Sequence, residues 1–179
     1  LDALGYQQPR EPLPTSALPI TLRGIEGLRV YALPIPGNAY VQYTDPAEGK
    51  GRDYTATAWM DVRSLTVVAV LEDNDREPQK HADLAVDVGE YYNDPLTGFE
   101  RARGESIALV FGKRGVRRIF EYVDNPLTPQ QRQLGLEEKR RPGFPMTEHS
   151  KRALIDRLAD HIDSIASLTP DRRMLEQAG

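Results

Sequence analysis

Between residues 28 and 71 the apolar positions come in short runs punctuated by turn residues, a pattern that predicts β-strands. Residues 28–33 alternate loosely and close on Pro34-Ile35-Pro36-Gly37, so a short strand is expected there. Residues 39–43 form an apolar, aromatic run that reads as a buried strand. Residues 54–62 (YTATAWMDV) are rich in β-branched and aromatic side chains, and after Arg63-Ser64 residues 65–71 (LTVVAVL) return. Three strands joined by short turns make an antiparallel meander. The period then changes. Leu84, Ala85, Val88, Tyr91 and Tyr92 recur at helical spacing, with Asp83, Asp87 and Glu90 on the other side, and Asn93-Asp94-Pro95 ends that helix. Residues 96–101 read as a short strand. Gly104 opens a second helix carrying Ile107, Ala108, Val110 and Phe111, with Gly112 and Gly115 bracketing its end.

Residues 116–122 (VRRIFEY) read as a fifth strand, and residues 123–146, with four prolines and many charges, as a loop or hairpin excursion. A third helix is expected from Thr147 to about Ser164, capped within Thr147-Glu148-His149-Ser150, and a last short helix begins at Thr169-Pro170-Asp171. Residues 1–24, with prolines at 9, 12, 14 and 19 and no period, read as an extended arm or linker, leaving residues 25–179 as one domain. The order β-β-β-α-β-α-β predicts an α/β fold. Its mixed five-stranded sheet has three antiparallel strands, then strands joined by helices, and helices flank it. That order is similar to the ribonuclease H-like fold.

Composition narrows the chemistry. The 179 residues are 39% hydrophobic and 28% charged, ordinary values for a globular domain. The absence of cysteine excludes disulfides, thiolate catalysis and Cys-ligated zinc, and only three histidines argue against a His-rich metal site. No apolar run approaches the length of a membrane span and no signal-peptide layout opens the chain, so no membrane partner is expected and the chain reads as unsecreted. A start at Leu1 suggests a piece of something larger. The net charge of −4 leaves nucleic-acid binding to local basic patches.

The candidate chemistry is acidic. Asp45 follows the strand at 39–43 and Glu100 ends the strand at 96–101, and in the expected sheet these two strand ends lie side by side. Two carboxylates so placed repel unless a cation sits between them. Mg²⁺ or Mn²⁺ suits such oxygens, and a pair of such ions about 4 Å apart activates water and stabilises the leaving oxygen in phosphodiester cleavage. Asp53, entering the next strand, is a further candidate ligand, while Glu48 and Lys50 read as solvated, and Gly49 and Gly51 permit close backbone approach to phosphates. Taken singly, an Asp before a Pro is a common turn residue and a Glu beside an Arg a common surface pair.

The residues together resemble a family. Residues 39–49 (AYVQYTDPAEG) followed by Gly51-Arg52-Asp53-Tyr54-Thr55-Ala56 are similar to the first nuclease motif of viral large terminases, the DNA-packaging motors of tailed phages. Phe99-Glu100-Arg101-Ala102-Arg103-Gly104 resembles their second motif, and Gly143-Phe144-Pro145-Met146-Thr147 with Lys151 and an apolar helix resembles a later segment. The resemblance spans about residues 25–178. It implies a ribonuclease H-like, two-metal endonuclease that cuts concatemeric double-stranded viral DNA, with Asp45 and Glu100 as catalytic metal ligands and Asp53 either as an additional ligand or as a group that supports the ligands from behind. It also implies an ATPase domain earlier in the same parent chain, portal and small terminase subunits as partners, and the host cytoplasm as location.

Two features depart from the pattern. No phosphate-binding loop of an ATPase is present, and no third acid is found at its expected place. Asp156, Asp160 and Asp163, with His161 among them, lie opposite the apolar stripe of Leu154, Ile155, Leu158, Ile162 and Ile165 and read as a solvated face, and Asp171 and Glu176 fit nothing specific. The third acid is therefore expected beyond Gly179, and this chain alone is expected to cut poorly. Arg101, Arg103, Lys113, Arg114, Arg117 and Arg118, then Lys139, Arg140, Arg141 and Lys151, are ordinary surface charge or a phosphate-tracking rim for DNA. Another ribonuclease H-like nuclease of the junction-resolvase type, and a non-catalytic DNA- or protein-binding module, are the alternative readings.

Overall fold

A computed structural model describes residues 10–47, 53–123, 126–147, 150 and 152. Its centre is a mixed sheet of β1 (Leu28–Val30), β2 (Tyr40–Asp45), β3 (Thr55–Asp61), β4 (Thr66–Asp73) and β5 (Leu96–Phe99), in the order β1-β4-β3-β2-β5. The meander β2-β3-β4 is antiparallel as the run lengths predict, and β5 lies parallel to β2. A parallel neighbour needs a crossover, and helix α1 (Pro78–Tyr91) supplies it. Helix α2 (Glu105–Lys113) follows β5. This is the ribonuclease H-like arrangement.

Alternation on β2 sorts the two faces. Tyr40, Gln42 and Thr44 are buried, whereas Tyr43 and Asp45 are exposed on the other side. Tyr40 and Trp59 pack with Ala85 and Val88 of α1 and with Tyr92, and Phe99 packs with Ile107, Val110 and Phe111 of α2. Both helices therefore cover the Thr44 face and leave the Asp45 face clear of them. Helix α1 starts at Pro78, earlier than its apolar stripe suggests. Proline is preorganised for a first helical position, and the buried His81 and Ala82 extend the stripe toward it.

Three elements differ from expectation. The sheet has five strands, but β1 is one of them and residues 116–122 are not. Ile119 makes a single parallel bridge to Thr97, and the chain then leaves as β6 (Glu121–Val123), which pairs with β7 (Arg140–Pro142). The reason lies in the edge of β5, whose outer groups are already divided. Thr97 bonds to Arg118 and Phe120, and the carbonyl of Phe99 accepts the Phe144 N–H at 2.8 Å. The hairpin excursion expected at 123–146 is the β6–β7 pair, and what differs is a short helix α3 (Pro129–Gln133) between its arms, started by a reciprocal Thr128–Gln131 capping box. Residues 10–24, read as an arm or linker, carry two 3₁₀ turns and bury Leu18 and Leu22 in the main core, because two leucines four positions apart find the sheet before β1.

Thr147 and Ser150 exchange bonds as a helix cap should, with Ser150 N–H to Thr147 Oγ1 at 3.2 Å and Thr147 N–H to Ser150 Oγ at 2.9 Å. The rest of the expected third helix and the last short helix lie outside the described residues. No helix among the described residues is long and apolar enough to cross a membrane.

Candidate metal centre

The parallel register of β2 and β5 pairs Tyr43 with Gly98 and Thr44 with Phe99. One step further brings Asp45 beside Glu100, and the Glu100 N–H donates to the Thr44 carbonyl at 3.1 Å. Both carboxylates thus leave the same face at the same level. Glu100 is also held from the other side, where it bridges Phe144 and where the Arg101 N–H donates to the Phe144 carbonyl at 2.9 Å. The turn after Glu100 requires glycine. A methyl at Gly104 would run into the Glu100 carbonyl oxygen and the Phe99 ring, and one at Gly143 would sit 2.7 Å from that ring.

The electrostatics follow from this crowding. The Glu100 carboxyl is pushed above its ordinary value, first by burial, then by the charge of Asp45 and a hydrogen bond to its side chain, while Arg103 pulls the other way. This crowding disfavours the charged form of Glu100 unless a cation neutralises the site. The negative potential reaches Tyr43, whose phenol is pushed up to about 12 by burial and then by Asp45 and Glu100. Asp45 also lines an open groove of about 500 Å³ together with Asp53, Tyr54, Glu72 and Arg103. Hard oxygen donors with this shortage of positive charge suit a small divalent cation. Glu72 is unlike the others, being bound to Arg29 at 2.9 Å.

No protein-family model and no curated protein matches the chain. Solved structures do. The large terminase nuclease from thermophilic phage G20c matches with a TM-score of 0.65 and 15% identity, over 98% of this chain and 76% of its own. This chain has the fold of a large terminase nuclease. The G20c nuclease with bound magnesium matches at a TM-score of 0.65 and 14% identity, covering 98% of this chain and 76% of that one. The nuclease domain of the Thermus phage P74-26 large terminase matches at 0.57 and 14% identity, covering 96% and 72%.

Within this terminase-nuclease fold the sequence-derived residues fall into separate groups. Asp45 and Glu100 come together, and Asp53 lines the same groove as Asp45. Arg103 stands at the same groove. Arg101 lies over the Tyr122 ring at 5.8 Å and donates to the Gly143 carbonyl at 3.4 Å, and Tyr122 is the cross-strand partner of Arg141. Arg140 and Arg141, exposed on β7, therefore adjoin the acidic edge, with Lys139 just before them. Lys113 and Arg114 stand at the far end of α2, about 13 Å along its axis from its start. Arg114 is fastened to α1 by Asp83 at 3.2 Å and Asp87 at 2.6 Å. Arg117 and Arg118 belong to that end too, beside a second cavity of about 560 Å³.

Lys151, Glu48 to Arg52, and Asp156, Asp160, His161, Asp163, Asp171 and Glu176 lie outside the described residues. Among the described residues no three His, Asp or Glu side chains gather at one point. Sequence reasoning missed His81, which is fully buried beneath the site and bonded to Thr57. Its signal was available: a histidine on the apolar stripe of α1, opposite a strand with threonines at alternate positions.

Proposed function

We propose that this chain is the nuclease domain of a viral DNA-packaging large terminase, a divalent-metal-dependent endonuclease that hydrolyses phosphodiester bonds of double-stranded DNA. The observation that carries the reading is the Asp45–Glu100 pair, brought to one face by a parallel strand register in a sheet with the terminase-nuclease fold. Two carboxylates that crowd each other fit a small hard cation better than any organic ligand, and Asp53 lines the same groove without joining them in a three-acid cluster.

In this reading Asp45 and Glu100 hold Mg²⁺ or Mn²⁺, and Asp53 contributes from the same groove or orients a water. A divalent cation there supplies Lewis-acid polarisation of a phosphoryl oxygen and of the attacking water, and a second ion completes the two-metal scheme. The chain's own contribution is to fix the two carboxylates through backbone bonds on both sides of Glu100, and to set Arg103 where a phosphate would enter. Arg101, Arg140 and Arg141 extend that positive rim along the hairpin, giving contacts to phosphates without reading bases. Concatemeric DNA as substrate, an ATPase domain in the same parent chain, portal and small terminase partners, and the host cytoplasm belong to the same reading.

Supercoiled plasmid incubated with the chain in Mn²⁺ or Mg²⁺ tests it. Slow nicking without sequence preference, suppressed by chelator and lost in Asp45→Asn and Glu100→Gln, is the expected result. Nicking that survives both substitutions would assign the chemistry elsewhere. DNA retention without nicking under any divalent metal would favour a binding module, and a preference for four-way junctions a resolvase.

A further inference from the structure

Behind the two carboxylates, on the helix-covered face, a polar column crosses the layer between the sheet and α1. Thr44, Thr57 and His81 are each fully buried. His81 Nε2 lies 2.9 Å from Thr57 Oγ1, and Thr57 Oγ1 lies 2.9 Å from Thr44 Oγ1. The column therefore runs from α1 through β3 to β2 and ends on the residue before Asp45. Thr44 is gripped at both ends: its hydroxyl belongs to the column, and its carbonyl accepts the Glu100 N–H.

The place matters. Asp45 is the last residue of β2, and β5 has already ended at Phe99, so the ladder stops where the two carboxylates crowd each other. Valine or alanine in this layer would serve packing alone, and a buried hydrogen-bond chain stabilises a unique arrangement only when its members are bonded. Among the described residues His81 Nδ1 has no bonding partner. A neutral imidazole carries one N–H, and a buried unpaired N–H is rarer and costlier than an unpaired acceptor. The proton therefore belongs on Nε2, which donates to Thr57, and the Thr57 hydroxyl donates in turn to Thr44. Burial, helped by Arg76 and opposed by Asp73, holds the ring down at about 4, so it stays neutral and the direction of the chain does not reverse near neutral pH.

We propose that His81, acting through Thr57 and Thr44, is a positioning residue that clamps the strand ends carrying Asp45 and Glu100 at metal-binding separation. The proposal rests on reading those carboxylates as a metal site.

Two measurements on the whole chain test it: hydrogen exchange of the Glu100 amide, which needs no metal, and calorimetric Mn²⁺ binding. Thr57→Val and His81→Phe are expected to speed Glu100 exchange at least tenfold relative to the mid-strand Trp59 amide. They should also weaken Mn²⁺ binding about tenfold, the lower end of what loss of an outer-shell partner costs. His81→Gln, whose amide nitrogen can donate from the place of Nε2, should restore both to within a few-fold. Thr57→Val keeps the side-chain shape and decides the matter if His81→Phe does not fold. Unchanged Glu100 exchange and Mn²⁺ affinity in Thr57→Val would overturn the clamp, as would an equal speeding at Trp59. Faster Glu100 exchange in a chain whose parent form takes no Mn²⁺ upholds the clamp and overturns the metal reading instead.

Discussion

Glu100 holds its proton to higher pH in the folded chain than in the unfolded one, because burial and Asp45 both penalise its charge. Its contribution to stability is therefore present below the ordinary carboxylate range and lost as pH rises through the raised value. Glu100→Gln removes that loss, so without metal it should melt at or above the parent at pH 7, while the stabilisation by Mn²⁺ disappears. Thermal melts with and without Mn²⁺ check both halves. His81 has the opposite sign. Its folded value of about 4 lies below the ordinary 6.5, so the unfolded chain takes up a proton first as pH falls. Stability should drop on the order of 3 kcal/mol between pH 6.5 and 4, and His81→Gln should flatten that slope in denaturant titrations. Asp45 and Glu100 were legible as residues because each stands at the end of a recognisable strand. His81 was legible only as a candidate buried residue, since a histidine on a helix stripe opposite alternating threonines signals burial but not which of them it bonds to.

At the scale of elements, the strand runs and the two long helices followed from apolar periodicity, and the parallel β5 followed from the helix before it. What failed did so through competition for one edge. Residues 116–122 have the composition of a strand, yet the outer groups of β5 are shared between Ile119's neighbours and Phe144, a long-range contact that no local pattern contains. Helix α3 was missed although Thr128 and Gln131 spell its cap, because five residues give no period to read. The glycines of α2 separate local propensity from this tertiary fit. Gly112 has open space around it and sits inside the helix, so Gly112→Ala should be neutral or stabilise by about 0.5–1 kcal/mol. Gly104→Ala must displace the Glu100 carbonyl or the Phe99 ring and should cost about 2 kcal/mol or more. Denaturant midpoints of the two variants give the comparison.

Over the whole molecule, a net charge of −4 conceals an uneven distribution. The sequence placed ten basic residues in one candidate rim, whereas the structure sends Arg101, Arg103, Arg140 and Arg141 to the acidic edge and Lys113 and Arg114 to the other end of α2. Adjacency along a helix axis is invisible to a count of nearby charges. Arg103→Ala should weaken duplex binding and reduce the salt slope by about one counterion. Arg114→Ala should leave DNA binding alone and cost about 0.5–1 kcal/mol of stability, since its partners Asp83 and Asp87 are half-exposed. Fluorescence anisotropy across a salt series, with melts of the same proteins, distinguishes the two.

The parallel pairing of β2 with β5 also bears on how the chain reaches its native state. Asp45 and Glu100 are 55 positions apart, and their strands become neighbours only after the β3–β4 ribbon has formed and α1 has crossed over it. Closing that long loop is a high-contact-order event, so the carboxylate pair belongs to the late side of the folding barrier. A cation that recognises the pair has nothing to grip in the transition state. In stopped-flow experiments Mn²⁺ should therefore slow unfolding while leaving the refolding rate unchanged, making ion capture a report on the final closure of the sheet.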